Sequence, residues 1–116
     1  MTTKTFRHQP IYQGFSWEAT FNIASDPSMF PEGSEHRASF RINPNYPVLA
    51  TINTQTEGII RIDNDRIMVR LTGAQTANMP IGQVMFDLIR TDGPRPKHLG
   101  IRITIQVVQS TTDPNG

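Results

Sequence analysis

Histidine is the side chain that most readily moves a proton or ligates a metal near neutral pH, and this sequence has three, His8, His36 and His98. None has a second ligand at a spacing that would build a metal centre, which needs three or four nitrogen, sulfur or oxygen donors close together. Cysteine is absent, so thiolate metal sites and disulfides are excluded. Asp63-Asn64-Asp65 has the acidity of a calcium loop but lacks the glycine and distal glutamate of that pattern, and a turn accounts for it. Glu18 and Asp87 fall on the outward faces of expected strands; glycoside hydrolysis would need two such acids to face each other across a cleft. Ser16, Ser28, Ser34, Ser39 and Ser110 stand in no nucleophile-elbow context, and no phosphate-binding glycine loop is present. The residue types therefore point to a protein that is not an enzyme and has no cofactor or metal.

What the sequence does offer is arginine. Nine of its eleven basic residues are arginine, set against ten acidic residues for a net charge of +1. So balanced a charge gives no strong field toward nucleic acid or a membrane, while arginine's planar, weakly hydrated fork suits protein interfaces. Arg37, Arg41, Arg61, Arg70, Arg90 and Arg102 fall on expected solvent faces. A sheet that binds RNA would set exposed aromatics beside them, but Phe15, Trp17, Phe21, Phe40 and Phe86 are all expected to point inward. Solvated faces and inter-subunit salt bridges are the preferred account, with no direct nucleic-acid contact. Met29 and Phe30 are apolar residues on an otherwise polar connection, where they either fold onto the core edge or form a contact patch for a neighbouring subunit. With Tyr12, Arg90, Arg95, Lys97 and His98 they make up the candidate protein-contact residues.

The elements that would carry these residues are strands. Ile101, Ile103, Ile105 and Val107 alternate with Arg102, Thr104 and Gln106, the pattern of a strand with one buried and one wet face. Val84, Phe86 and Leu88 form a second row with Asp87 outward, and a polar loop from Arg90 to Gly100 joins the two. Earlier in the chain Phe15, Trp17, Ala19, Phe21 and Ile23 alternate with polar residues, as do Ala38, Phe40 and Ile42. Ile60 and Ile62 precede Asp63-Asn64-Asp65-Arg66, and Ile67, Val69 and Leu71 follow it. A two-residue type I′ turn at Asn64-Asp65 would pair Asp63 with Arg66, Ile62 with Ile67 and Ile60 with Val69. Val48 to Asn53 is a weaker strand, and Thr72 to Gln83 is a loop with one helical turn around Ala74 to Asn78. Pro10 limits Phe6 to Gln13 to an edge strand or an irregular entry.

The sum is an all-β protein, an Ig-like antiparallel β-sandwich of seven or eight strands. It forms one domain over residues 1–116, with an extended N-terminal arm at about 1–13 and a polar tail at 111–116. No apolar run is long enough to span a bilayer, and the N-terminus has no apolar signal-peptide region. The expected site of synthesis is the cytoplasm, which the chain leaves only inside a larger particle.

Leu71-Thr72-Gly73-Ala74-Gln75-Thr76-Ala77-Asn78-Met79-Pro80-Ile81-Gly82, then Val84 to Leu88 and His98-Leu99-Gly100-Ile101, resembles small β-sandwich proteins and domains of tailed bacteriophages, including N-terminal domains of baseplate upper proteins. The matching positions are Leu71, Thr76, Ala77, Pro80, Gly82, Phe86, Asp87, Leu88, Leu99 and Gly100, and Gly14-Phe15-Ser16-Trp17 resembles that group's first core strand. Gly33-Ser34-Glu35-His36 stands where the group has a longer Thr-Gly-Tyr segment. The resemblance implies a non-enzymatic virion structural protein of the tail or baseplate, or a head decoration (cement) protein. It would be made in the host bacterial cytoplasm and joined to other virion proteins in a symmetric homo- or hetero-oligomer. The alternatives are a carbohydrate- or receptor-binding module of a fibre, stacking sugar on Tyr12, Tyr46 or Phe30, and a phage accessory protein acting in the host.

Overall fold

The polar–apolar alternation of Trp17–Ala24 becomes a strand in which Trp17, Ala19, Phe21 and Ile23 are buried and the residues between them are exposed. The computed structural model describes residues 3–5 and 9–112, in nine strands and one short helix. His8 and the stretch 113–116 lie outside the described residues. In chain order the strands are β1 (Thr3–Thr5), β2 (Ile11–Tyr12), β3 (Trp17–Ala24), β4 (His36–Arg41), β5 (Ala50–Asn53), β6 (Ile59–Arg61), β7 (Arg66–Leu71), β8 (Gly82–Arg90) and β9 (Lys97–Val108). They form a four-stranded sheet, β1-β3-β7-β6, and a five-stranded sheet, β2-β9-β8-β4-β5.

The two sheets meet across an aromatic core. Phe21 on β3 and Phe86 on β8 stand edge to face, 6.0 Å between ring centres, and Phe40 on β4 lies 4.6 Å from Phe86 in the same sheet. Edge-to-face rings at this spacing add their quadrupole attraction to the burial of their large apolar surface. Ile101, Ile103, Ile105 and Val107 line the core from β9, as their alternation requires.

A helical turn, α1 (Gly73–Ala77), closes one end between β7 and β8, one residue earlier than expected. Thr72 caps it by accepting the Gln75 N–H while the Gln75 side chain accepts the Thr72 N–H, a reciprocal capping box. Thr76 is fully buried there; its hydroxyl accepts the Gly14 N–H at 3.0 Å and lies 2.7 Å from the Phe15 carbonyl, to which it donates. Gly73 passes so close that a Cβ on it would stand 2.7 Å from the Gly14 carbonyl oxygen.

Several expectations are corrected. Within the N-terminal stretch, β1 pairs with β3, and β2 pairs with β9 as the edge strand of its sheet, the place that Pro10 allows. That second pair is parallel, so the strands are not antiparallel throughout, and the count among the described residues rises to nine. The strand expected from Phe15 starts at Trp17, and Phe15 is half-buried in the preceding turn. Strands β8 and β9 run further toward each other than expected, pairing Arg90 with Lys97 and Ile89 with His98. The polar loop shrinks to residues 91–96 because the register shifts between Asp87 and Ile89, where a bulge lets the ladder continue.

The β6–β7 hairpin is one residue out of the expected register. Ile59, not Ile60, faces Val69, and Arg61 faces Ile67. The Asp63 carboxylate accepts the Asp65 N–H at 2.9 Å, and the Ile62 N–H reaches the Arg66 carbonyl, so the loop takes three residues instead of two. Ile59 is consequently buried, and Ile62 is 38% exposed. The Asp63–Arg66 ion pair forms nonetheless, at 2.7 Å, as a contact within the turn.

Candidate functional site

The outer face of the five-stranded sheet is where the register assembles charged groups. On β4, residues 37, 39 and 41 share the outward side, because Ala38 and Phe40 point into the core. Pairing with β8 sets Arg37 opposite Ile89, Ser39 opposite Asp87 and Arg41 opposite Met85. Pairing of β8 with β9 then sets Asp87 opposite Arg102 and Ile89 opposite His98. The resulting face is a grid with Asp87 at its centre, and it surrounds a depression of about 310 Å³.

Asp87 is closed on its own neighbours. Arg102 grips it with both ends of its guanidinium fork, Nε to Oδ1 at 2.8 Å and Nη2 to Oδ2 at 3.2 Å. His98 Nε2 stands 3.2 Å from Oδ2. The hydrogen bonds from Arg102, and next from His98, hold the Asp87 carboxyl below the usual carboxylate range. The other ring nitrogen of His98, Nδ1, accepts the Gly100 N–H at 2.8 Å. This assigns the ring proton to Nε2, facing Asp87. With both nitrogens engaged, His98 has no lone pair to offer as a general base.

The remaining arginines of the face are open. Among the described residues, no hydrogen bond or ion pair holds the Arg37 side chain, and Arg41 gives one N–H to the Tyr46 carbonyl at 2.7 Å. Each guanidinium has five N–H donors, so both keep most of their capacity. Met85 and Ile89, half-buried, supply apolar floor beside Arg41 and Arg37 respectively.

The expected contact residues do not form one patch. Arg90, Lys97 and His98 gather at one end of β8 and β9, where Arg90 also clasps Asp92 at 2.7 Å. Arg90 Nε and Nη2 hold the Asp92 carboxyl far below its ordinary range. Tyr12, 46% exposed, lies beside Val108 at the far end of β9, roughly 35 Å away at the usual rise of a strand. Arg95 is exposed on the intervening loop, and Met29 is half-buried against the core. Phe30 is a correction: it is fully buried, edge to face with His36 at 5.2 Å, and offers no surface to a partner. That burial also removes it from the sugar-stacking candidates.

His36, read as a scattered histidine, is a core residue. It shares the inward side of β4 with Ala38 and Phe40, a parity visible in the sequence once the strand is begun one residue earlier. Its Nε2 pairs with the Ser34 hydroxyl at 2.9 Å. Nδ1 makes no hydrogen bond of ordinary geometry, although the Ile89 backbone lies near enough to favour the charged ring slightly. Burial, assisted by the positive charge of Arg90, pushes the ring down to about 4.

Glu18 and Asp87 lie on the outer faces of different sheets, so they cannot share a cleft. Glu18 instead borders a second hollow of about 720 Å³ with Glu57 and Arg70. Among the described residues, no group of three or more His, Asp or Glu side chains is placed to hold a metal. No described helix is long and apolar enough to cross a membrane.

No family model matches the chain, and no curated protein matches its sequence. Among solved structures, it is similar to the X-ray structure of the endo-β-1,4-mannanase from Thermotoga petrophila, at 10% identity and a TM-score of 0.49. The match covers 94% of this chain and 20% of that one, so this chain spans about a fifth of the enzyme's length. At that identity and score the likeness bears on neither activity nor substrate.

Proposed function

We propose that this chain is a non-enzymatic structural protein of a tailed-bacteriophage virion, an Ig-like module that joins neighbouring subunits. The strand order supports the Ig-like reading. Ig domains place strands A, B, E and D in one sheet and C, F and G in the other, with C′ beyond C in the variable type. The order β1-β3-β7-β6 corresponds to A-B-E-D, and β9-β8-β4-β5 to G-F-C-C′, with β2 added beside G.

The observation that carries the assembly reading is the outer face of the five-stranded sheet. Its one Asp–His pair is locked by Arg102 and Gly100, while Arg37 and Arg41 stand open beside apolar floor. Such a surface binds charged groups and has no base to transfer protons. The phage assignment rests on the resemblance of residues 71–101, whose matching positions have structural duties here: Thr76 anchors α1, Phe86 and Leu88 fill the core, and Gly100 takes a φ of +74°. Its partners are then other virion proteins in a symmetric assembly, and its place is the virion.

Quantitative mass spectrometry of gradient-purified particles tests the assignment. A fixed copy number is expected: near one per major shell subunit for a head decoration protein, or far below one and matching three-fold or six-fold symmetry for a tail or baseplate component. Absence from the particles would overturn it.

A further inference from the structure

We infer that the depression on the outer face of the five-stranded sheet is the docking site for an extended acidic segment of a neighbouring protein, with one carboxylate on Arg37 and a second on Arg41. This deepens the assembly reading and depends on it only for where the neighbour is found. Charge comes first. Among the described residues the depression is lined by three arginines, Arg37, Arg41 and Arg102, against the single carboxylate of Asp87. Asp87 is already spent on Arg102 and His98. The open positive charge therefore belongs to Arg37 and Arg41, and carboxylates meet an arginine fork with two parallel hydrogen bonds.

Spacing defines the segment. Arg37 and Arg41 are on the same side of β4, four residues and so about 13 Å apart. An extended ligand presents every second side chain to one face, so acids at its positions i and i+4 match this separation. Its middle position, i+2, lies over Ser39 and Asp87, which pair across β4 and β8. An acid there meets the Asp87 carboxylate and is repelled, whereas a hydroxyl is accepted. Met85 and Ile89 flank the two arginines on β8. Covering them excludes water from the ion pairs and strengthens them.

The test is an NMR titration of the isotope-labelled chain, at low salt, with the peptide acetyl-Thr-Glu-Thr-Ser-Thr-Glu-Thr-amide. The expected shifts fall on Arg37, Ser39, Arg41, Met85 and Ile89. Replacing both glutamates by glutamine should weaken binding about tenfold, as the loss of two ion pairs allows, while moving them two residues apart or placing a third at the centre should each weaken it severalfold. The Arg37→Glu/Arg41→Glu variant, altered only on the surface and checked by its melting curve, should lose the acidic peptide and take its lysine counterpart. Shifts elsewhere, no shifts, or equal binding by that variant would overturn the inference. So would displacement of the peptide by an equal concentration of inorganic phosphate, which would mark a general anion site. A dimer of the chain alone, abolished by the same variant, would assign the face to a second copy and overturn the acidic-segment assignment. Peptide binding that persists for a chain absent from purified particles would fail the virion reading and leave this one standing.

Discussion

Asp87 and His98 are joined at 3.2 Å on the outer face of the five-stranded sheet. The imidazole takes an N–H from Gly100 on one side and faces a carboxylate already held by Arg102 on the other. The pair tunes the charge of the face. Asp87→Asn removes the only acid that lines the depression among the described residues, while leaving the shape almost unchanged. Stability should fall by no more than about 1 kcal/mol, as for the loss of an exposed ion pair. Affinity for the two-glutamate peptide should rise severalfold, read in the same titration, and unchanged affinity would remove Asp87 from the electrostatics of the site.

His36 makes folding sensitive to mild acid. The unfolded chain takes up a proton on this ring near 6.5 and the folded chain only at about 4. Between these values the unfolded state binds more protons, so stability rises with pH across the window and is lost as pH falls from 6.5 toward 4. The loss should reach no more than about 3 kcal/mol. Asp63, Asp87 and Asp92 are held below the ordinary value of 3.8, so their contributions disappear only at lower pH. Urea unfolding at steps from pH 7 to pH 4 measures the slope. His36→Leu should flatten it between 6.5 and 4; a slope that persists would assign it to another group.

Thr76 ties α1 to the turn before β3 through one hydroxyl. Thr76→Val keeps the shape and leaves the Gly14 N–H without its acceptor, at a cost of about 1–3 kcal/mol. Thr76→Ser keeps the oxygen and should recover most of that loss. Equal denaturation midpoints for the valine variant and the parent would show that the contact contributes nothing.

Phe86 packs on Phe21 of the opposite sheet and Phe40 of its own. Phe86→Ala should cost about 3–5 kcal/mol by lost burial and a residual cavity. A fall of less than 1 kcal/mol, measured by urea unfolding, would place the centre of the core elsewhere.

Alternation made much of this legible. The inward rows of β3 and β9 follow from parity alone, since a half-buried strand sorts its side chains by odd and even position. Thr3–Thr5 was not legible as a strand: its residues are polar, and pairing with β3 comes from the sheet edge rather than from local pattern. The β6–β7 register escaped because Ile59, Ile60 and Ile62 offer apolar residues to both faces, and a single Asp63 hydrogen bond decides the loop length. Arg37 and Arg41 were visible as outward residues. Their union with Asp87 and Arg102 was not, because it depends on two strand registers between segments about 50 and 15 residues apart in the chain.

The most direct measurement is a competition in particle assembly between the parent chain and Arg37→Glu/Arg41→Glu, supplied together in equal amounts and counted by mass spectrometry in purified particles. Assembly through the outer face predicts particles that carry the parent chain almost exclusively, although the variant is equally folded and abundant in the cell. Equal incorporation of the two chains would contradict the role of that face, and absence of both would contradict the virion assignment itself.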